Sequence, residues 1–364
     1  MYDIVIVGSG FSGSVLAERF SNIHRKVLVV EKRSHVGGNA YDHYDENGIL
    51  IHDYGAHIFH TNDQKVFNYL SNFTEWRNYQ HKSLAMVDGQ LVPFPINRNT
   101  LEMLYGKEAL KDGVESFLSK VRTSIQFPRN AEENVINRVG TELYEKFFKG
   151  YTEKQWGRSA KDLRPSVTAR IPVRDNYDDR YFTDKYQVMP LHGYHTLFNR
   201  MLNRDNIHLM LNTKWQDIKD FIPFKRLIFT GPIDEYFDYI YGRLEYRSLK
   251  FKYRLYTEEY VQPVAGIKYS DNYDFTRTIE FKHLTGQKHE YTVVSEEYPT
   301  SEGEPYYPIP AEDTEETYKH YKEEAEKIEN VKFIGRLATY RYYNMDQVVA
   351  SALSEFEKLV SIGW

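Results

Sequence analysis

Ile4-Val5-Ile6-Val7 followed at once by Gly8-Ser9-Gly10-Phe11-Ser12-Gly13 decides how this chain is read. Four apolar residues make a short buried strand, and G-x-G-x-x-G opens a helix behind it. Gly8 permits the tight turn, Gly10 lets the backbone approach a pyrophosphate, and Gly13 lets the helix pack on the strand, so that the helix N-terminus can hold phosphate oxygens. Val27 to Val30 form a second strand ending at Glu31, twenty-three residues beyond Gly8, the usual offset for a carboxylate that accepts ribose hydroxyls. Gly37-Gly38-Asn39 then supply a second glycine pair, which lets the backbone pass close to the far half of a dinucleotide. A plain nicotinamide site lacks that pair, so the expected cofactor is FAD. A lone G-x-G-x-x-G is weak evidence, whereas strand, fingerprint, helix, strand-end acid and second glycine pair in order are specific.

The rest of the composition narrows the possibilities. A chain of 364 residues is long for one core and suggests two or three subdomains. There are 0 cysteines, which removes disulfides, thiolate metal sites and thiol catalysis together. No apolar run approaches the ~20 residues of a membrane span, and Met1 leads straight into a strand, so a cytoplasmic protein is expected. The net charge of -5 gives a nucleic-acid partner no global support, and an anionic substrate must be met by locally placed cations. The 31 tyrosines are mostly packing, but a phenol combines a flat face with a hydroxyl, which suits nucleotides and sugars.

Rossmann pieces recur along the chain, so the expected class is α/β with α+β insertions: a Rossmann-like FAD-binding domain, a helical subdomain and a twisted antiparallel sheet subdomain. The cofactor domain is expected over 1–82, 191–243 and 311–364. Residues 83–96 read as a hairpin of the sheet subdomain, since Asp88-Gly89 separates two apolar runs. Residues 97–165 are helical in pattern, with Val135, Val139, Leu143 and Phe147 on one face and Gly157 as a stop. Residues 166–190, with Pro172 and several charges, read as a mobile loop and link, and 244–310 as the antiparallel sheet. Asn344 to Val360 reads as a helix with Val348, Val349, Ala352, Leu353, Phe356 and Val360 inward and a capping box between Asn344 and Gln347.

Several residues are placed to carry chemistry. His57 and His60 follow the second glycine motif; nothing nearby completes a metal set, so no metal is expected. Phe147, Tyr151 and Trp156 crowd the end of a helical run, where an aromatic packs in the core or projects into a cleft, and spacing alone leaves both open. Arg170, Arg174 and Arg277 are each, singly, ordinary surface charges. No hydrolase motif is present.

In order, EKRSHVGGNA (31–40), YGAHIFHTN (54–62), GYTEKQWGRSA (150–160), RIPVR (170–174), LEYRSLKF (244–251), EPYYP (304–308) and GRLATYRYYNMDQV (335–348) resemble the bacterial UDP-galactopyranose mutase family over essentially the whole length. The resemblance implies a redox-neutral isomerisation of UDP-galactopyranose to UDP-galactofuranose for cell-surface polysaccharide biosynthesis. It also implies that the FAD is reduced, that its N5 attacks the anomeric carbon and displaces UDP, and that NAD(P)H or another external reductant keeps it active. By position, Ser12, Glu31, Lys32, Asn39, His57, Ile58 and Arg336 are implied FAD contacts. Thr213, Lys214 and the segment Tyr343, Asn344, Met345, Asp346, Gln347 and Val348 join them. Phe147, Tyr151, Thr152 and Trp156 fall on the uridine side, with Tyr181, Tyr307 and Tyr342 adding hydroxyls. Arg170 and Arg277 match the arginines on the pyrophosphate, and His60 the histidine beside the flavin. His81 and Lys268 stand where the family commonly has asparagines on the substrate, and Asn344 replaces an aspartate. Family members are often homodimers, and a homodimer is expected. The competing expectations are an amine-oxidase-type flavin oxidoreductase and a non-catalytic escort protein on an FAD fold.

Overall fold

The computed structural model describes residues 1–271 and 273–364. Tyr2–Val7 is the middle of a five-stranded sheet, flanked by Val27–Val30 and Phe224–Phe229, with Ile207–Met210 and Val331–Phe333 at the two edges. Every pairing in it is parallel. Such strands are covered on both faces, which is why they are near-continuous apolar runs in the sequence. Alternation sends Ile4 and Ile6 to one core, with Val15, Phe20 and Phe198, and Val5 to the other, with Leu28, Trp215 and Phe229. The strands come from three stretches of chain, with the other subdomains inserted between them.

The second sheet has seven strands, in the order Tyr307–Pro308, Tyr246–Tyr256, Thr292–Thr300, Arg277–Glu280, Gly266–Tyr269, Ser83–Val87, Gln90–Phe94. The expected hairpin is its outer pair, and Asp88 (φ 50) and Gly89 (φ 79) both take the left-handed conformation that a two-residue turn of this kind requires. The expectation of a purely antiparallel sheet needs one correction: Gly266–Tyr269 runs parallel to Ser83–Val87. No short turn joins those two strands, so nothing local forces them to oppose.

Three further expectations are corrected. The apolar face through Val135, Val139, Leu143 and Phe147 does not belong to one helix. Gly140 (φ +86) breaks it after Ala131–Val139, a Cβ there would lie 2.4 Å from the Val121 carbonyl, and the chain resumes through Thr141–Tyr144, a π-helical Glu145–Lys149 and Gly150–Trp156. Residues 166–190 are more than a surface loop: Ser166–Ala169 is a helical turn with Val167 and Thr168 buried, and Tyr186–Pro190 is the central strand between Phe59–Thr61 and Trp76–Asn78. In the last helix, Met345–Ser361, Val360 is exposed and Leu359 takes the inward place. Among the described residues no helix is long and apolar enough to cross a membrane.

Candidate active site

The first half of the site is built from backbone. Gly8 (φ +99) turns the chain at the end of the central strand, and a Cβ on it would lie 2.2 Å from Thr230 Oγ1 on the neighbouring strand's extension. A Cβ on Gly13 would lie 1.9 Å from the Gly8 carbonyl, so strand and helix touch where only glycine fits. The second pair meets the first: a Cβ on Gly38 would lie 3.0 Å from Gly10 Cα. Helix Phe11–Asn22 begins here with no acid in its first turn, leaving its free N–H groups and positive end for an anion.

Gly8, Gly10, Ser12, Glu31, Lys32, Gly38, Asn39, His57, Thr213, Lys214, Arg336, Tyr343, Met345 and Val348 all line one cavity of about 450 Å3. Of the other residues expected there, Gly13 acts behind the wall as a packing contact, Ile58 packs against the main core, and Asn344, Asp346 and Gln347 are not in the lining. Gln347 Oε1 instead accepts the Asn344 N–H at 3.0 Å, half of the expected capping box. Glu31 is buried; its Oε2 accepts the Ser9 N–H (2.9 Å) and Ser9 Oγ–H (2.8 Å), and its Oε1 accepts the Arg33 N–H (2.9 Å). The cradle of glycines, a helix N-terminus and a strand-end carboxylate fits a dinucleotide such as FAD.

The sequence reading missed several wall residues. Arg33 and Lys32 both reach Glu304, at 2.6 and 3.1 Å, so a residue of the second sheet's region closes over the cavity. Arg33 also lies 4.0 Å above the Tyr54 ring and donates to Asn39 Oδ1 at 2.9 Å. Thr230, Gly231 and Gly335 follow the ends of the other parallel strands; their signal was the apolar run ending in glycine.

The second half is a cleft of side chains contributed by separate elements. Arg277 heads its strand, and its Nε donates to Glu297 Oε2 at 2.6 Å; Glu297 is almost fully buried on the adjacent strand. Arg170 donates from Nη2 to the Tyr342 hydroxyl at 2.6 Å and lies 4.3 Å from that ring's centre. Lys268, paired with Arg277 across the strands, donates from Nζ to the Tyr181 hydroxyl at 3.0 Å and lies 4.2 Å from the Phe94 ring and 5.2 Å from Tyr151. Burial would raise the Tyr181 phenol, but Lys268, Arg170 and Arg277 together hold it below its usual value. Burial lowers Lys268, and the two arginines add to that while Tyr181 opposes it. Three cations thus converge on the surroundings of Tyr181, with Arg277 alone of the three paired to a carboxylate, Glu297, an arrangement that favours a polyanion.

Helix Gly150–Trp156 lies flush on the segment before Arg277, since a Cβ on Gly150 would sit 2.2 Å from the Ser270 carbonyl. Lys154 Nζ ties it down on the carbonyls of Tyr269, Tyr273 and Phe275. Trp156 and Phe147 are buried in the helical core, which weighs towards packing for both. Trp156 nevertheless meets Tyr342 and Tyr307 edge-on or tilted, at 5.6 and 6.2 Å. Thr152 is buried and Tyr151 half-buried. Burial pushes the Tyr307 phenol up to about 12.

The histidines divide between the two halves. His57 lines the cofactor cavity, and burial, with Arg336 and Arg277 nearby, pushes its ionisation down to about 4. Its Nδ1 is 2.8 Å from the Gly55 carbonyl. Arg336 lies between the halves, lining the cavity while its guanidinium is 5.3 Å from the Tyr307 ring. His60 is stacked on Phe182 at 3.7 Å with Nδ1 2.9 Å from Asp184 Oδ2, and His81, buried, accepts or donates at 3.0 Å to the Tyr79 hydroxyl.

A family model described as UDP-galactopyranose mutase matches residues 146–342, and one described as an NAD(P)-binding Rossmann-like domain matches 6–73. The chain is 38% identical to a probable UDP-galactopyranose mutase of Klebsiella pneumoniae over 99% of its length and 95% of the relative's. The chain belongs to the UDP-galactopyranose mutase family. It is an enzyme of that isomerase class, with the Rossmann-like domain of a flavoprotein. The dTDP-fucopyranose mutase of Escherichia coli is also similar, at 36% identity over 97% of each chain. The crystal structure of reduced UDP-galactopyranose mutase has the same fold, with a TM-score of 0.81 at 18% identity, covering 100% of this chain and 96% of that one. Putrescine oxidase shares the fold more loosely, with a TM-score of 0.60 at 13% identity over 99% of each chain. The two competing expectations are displaced by this membership: the likeness to putrescine oxidase is one of fold, and that to (S)-6-hydroxynicotine oxidase covers 26% of the chain.

Proposed function

We propose that this protein interconverts UDP-galactopyranose and UDP-galactofuranose with reduced FAD, without net oxidation or reduction. The observation that carries the reading is the junction of a dinucleotide cradle with a cleft where Arg170, Arg277 and Lys268 converge. Reduced FAD, when bound, supplies a nucleophilic ring nitrogen, N5, for the anomeric carbon. The chain's own residues do the remainder. Arg277, held at Nε by Glu297, keeps its other guanidinium nitrogens for the diphosphate, and Arg170 approaches from the Tyr342 side. Negative charge grows on the diphosphate as the anomeric bond breaks, and preoriented guanidinium groups stabilise it more at that point than in the ground state. Tyr151, with Phe147, Thr152 and Trp156 behind it, supports the uridine end, while Tyr181, Tyr307 and Tyr342 offer hydroxyls. His57 stays neutral at pH 7, so it adds no further charge beside Arg336. His60 and His81 border the sugar side, where we place the unmodified hexose.

We also infer a cytoplasmic homodimer kept reduced by NAD(P)H or another external reductant. The test is chromatography of products from UDP-galactofuranose with dithionite-reduced and with oxidised protein. UDP-galactopyranose is expected only from the reduced sample, with flavin absorbance unchanged at the end. Equal turnover by fully oxidised protein defeats the reading. A second substrate, dTDP-fucopyranose, is favoured by the similarity to the E. coli relative, and the same assay ranks it.

A further inference from the structure

Arg138 has no part in the chemistry above, yet it holds the segment that does. It stands near the end of helix Ala131–Val139, where Nη2 donates to the Ile171 carbonyl at 2.6 Å and Nη1 to the Thr168 carbonyl at 3.3 Å. The two carbonyls bracket Arg170 in sequence. One turn earlier on the same helix, Asn134 Nδ2 donates to Thr168 Oγ1 at 2.9 Å, and that hydroxyl donates to the Ala131 carbonyl at 3.2 Å. Among the described residues Arg138 makes no ion pair, and its burial lowers its pKa from the usual guanidinium value. A half-buried guanidinium satisfied by neutral carbonyls carries a desolvation cost, offset here by the match of its planar fork to two acceptors. Pro165 and Pro172 flank the clamped stretch, and neither has an N–H with which to tie that stretch down.

We propose that Arg138 is a positioning residue that fixes the backbone on both sides of Arg170 and so aims that guanidinium at Tyr342 and the diphosphate. The proposal rests on the reading of Arg170 as a diphosphate ligand. It explains how an exposed arginine in a proline-containing segment acquires a defined direction, which its own short helix of four residues, Ser166–Ala169, is too brief to provide.

The test compares UDP dissociation constants of holoenzyme in two backgrounds. Arg138→Met is expected to weaken UDP about tenfold, the scale of losing one charged hydrogen bond, with Arg138→Lys recovering part of it. In an Arg170→Ala background the same change should add less than about twofold, because a residue that acts through another loses its effect when the other is gone. FAD content and melting temperature identify any variant that has simply failed to fold. Equal losses in both backgrounds, or no loss in either, overturn the clamp. Should wild-type protein not bind UDP, the substrate reading fails by itself, and trypsin decides the clamp: faster cleavage after Arg170 and Arg174 in Arg138→Met supports it, and an unchanged rate overturns it.

Discussion

The glycine cradle and the side-chain cleft are neighbours built on opposite principles. The cradle is backbone: glycines at strand ends, a helix N-terminus and one strand-end acid, most of it within the first forty residues. The cleft is side chains: Phe94 from a hairpin, Tyr151 from a helix, Arg170 and Tyr181 from the link, Lys268 and Arg277 from the sheet, Tyr342 from the C-terminal region. A backbone site is lost through a single misplaced methyl group. A side-chain site loses function piece by piece, and it can be retuned for another sugar without touching the fold.

Glycine substitutions probe the first half of that contrast and carry the largest expected effect. Gly13→Ala places a Cβ 1.9 Å from the Gly8 carbonyl, where no flexible side chain can give way. Colourless protein without activity is expected, measured as flavin absorbance per polypeptide. Gly10→Ala sharpens the point, because its Cβ would meet only Gly38 Cα at 3.8 Å. The protein itself leaves room there, so that variant should fold and lose affinity for FAD alone. Wild-type FAD content in Gly10→Ala would remove the pyrophosphate from this position.

Arginine substitutions come next and should leave the cradle intact. Arg277→Ala and Arg170→Ala are each expected to lower turnover by about a hundredfold or more, the scale of one strong transition-state donor, with normal FAD content. Arg170→Lys should rescue little, since an ammonium keeps the charge and loses the planar fork. Near-wild-type turnover in either alanine variant would return that arginine to the surface charges.

The same contrast explains what the sequence made legible. The Gly8 to Gly13 motif, Glu31 and Gly37-Gly38 are local signals whose meaning depends on neighbours a few residues away, and the fold brings all of them but Gly13, which packs behind the wall, to one cavity. The break at Gly140 was invisible because Val135, Val139, Leu143 and Phe147 keep their four-residue spacing across it; what demands glycine there is the approach of Val121 from another helix. Glu304 over the cavity and Arg138 behind Arg170 are long-range pairings, and no spacing announces them. Val360 was misplaced by one position at a helix end, where the apolar stripe outlasts the packing. In the cleft, the residue types were recognisable by resemblance, but the Glu297 that holds Arg277 and the phenol that holds Lys268 come only from the register of the sheet and the return of the link.

His81 tests whether the cleft's charge is felt by its walls. Burial, with Lys268, Arg277 and His60 nearby, pushes its ionisation down to about 3, against about 6.5 in an unfolded chain. The unfolded state therefore binds the proton first. Stability from this group is complete above about pH 6.5 and falls as pH drops towards the folded value, by up to about 1.4 kcal/mol per unit. Urea unfolding between pH 7 and 5 should show a shallower acid loss in His81→Gln than in wild type, by about 2 kcal/mol at pH 5. Parallel curves would mean that His81 already protonates freely in the fold.

Lys268 has the smallest expected effect and the most to say about specificity. Its ammonium is the third cation of the cleft, yet it is tied to the Tyr181 hydroxyl and ringed by Phe94, Tyr151 and Tyr181, so it attracts an anion without presenting a fork to it. Lys268→Asn should therefore raise KM for UDP-galactopyranose several-fold, within about tenfold, and change kcat little, the pattern of an interaction equal in ground and transition states. Removing the ammonium also lets the Tyr181 phenol move back up, since Lys268 is the first of the cations holding it down. The decisive readout is salt. If Lys268 faces the diphosphate as proposed, it adds a screened attraction, and UDP affinity should weaken less between low and moderate ionic strength in Lys268→Asn than in wild type. If the two proteins respond to salt alike while KM still rises, Lys268 contacts an uncharged part of the substrate, and the cleft holds its diphosphate with the two arginines alone.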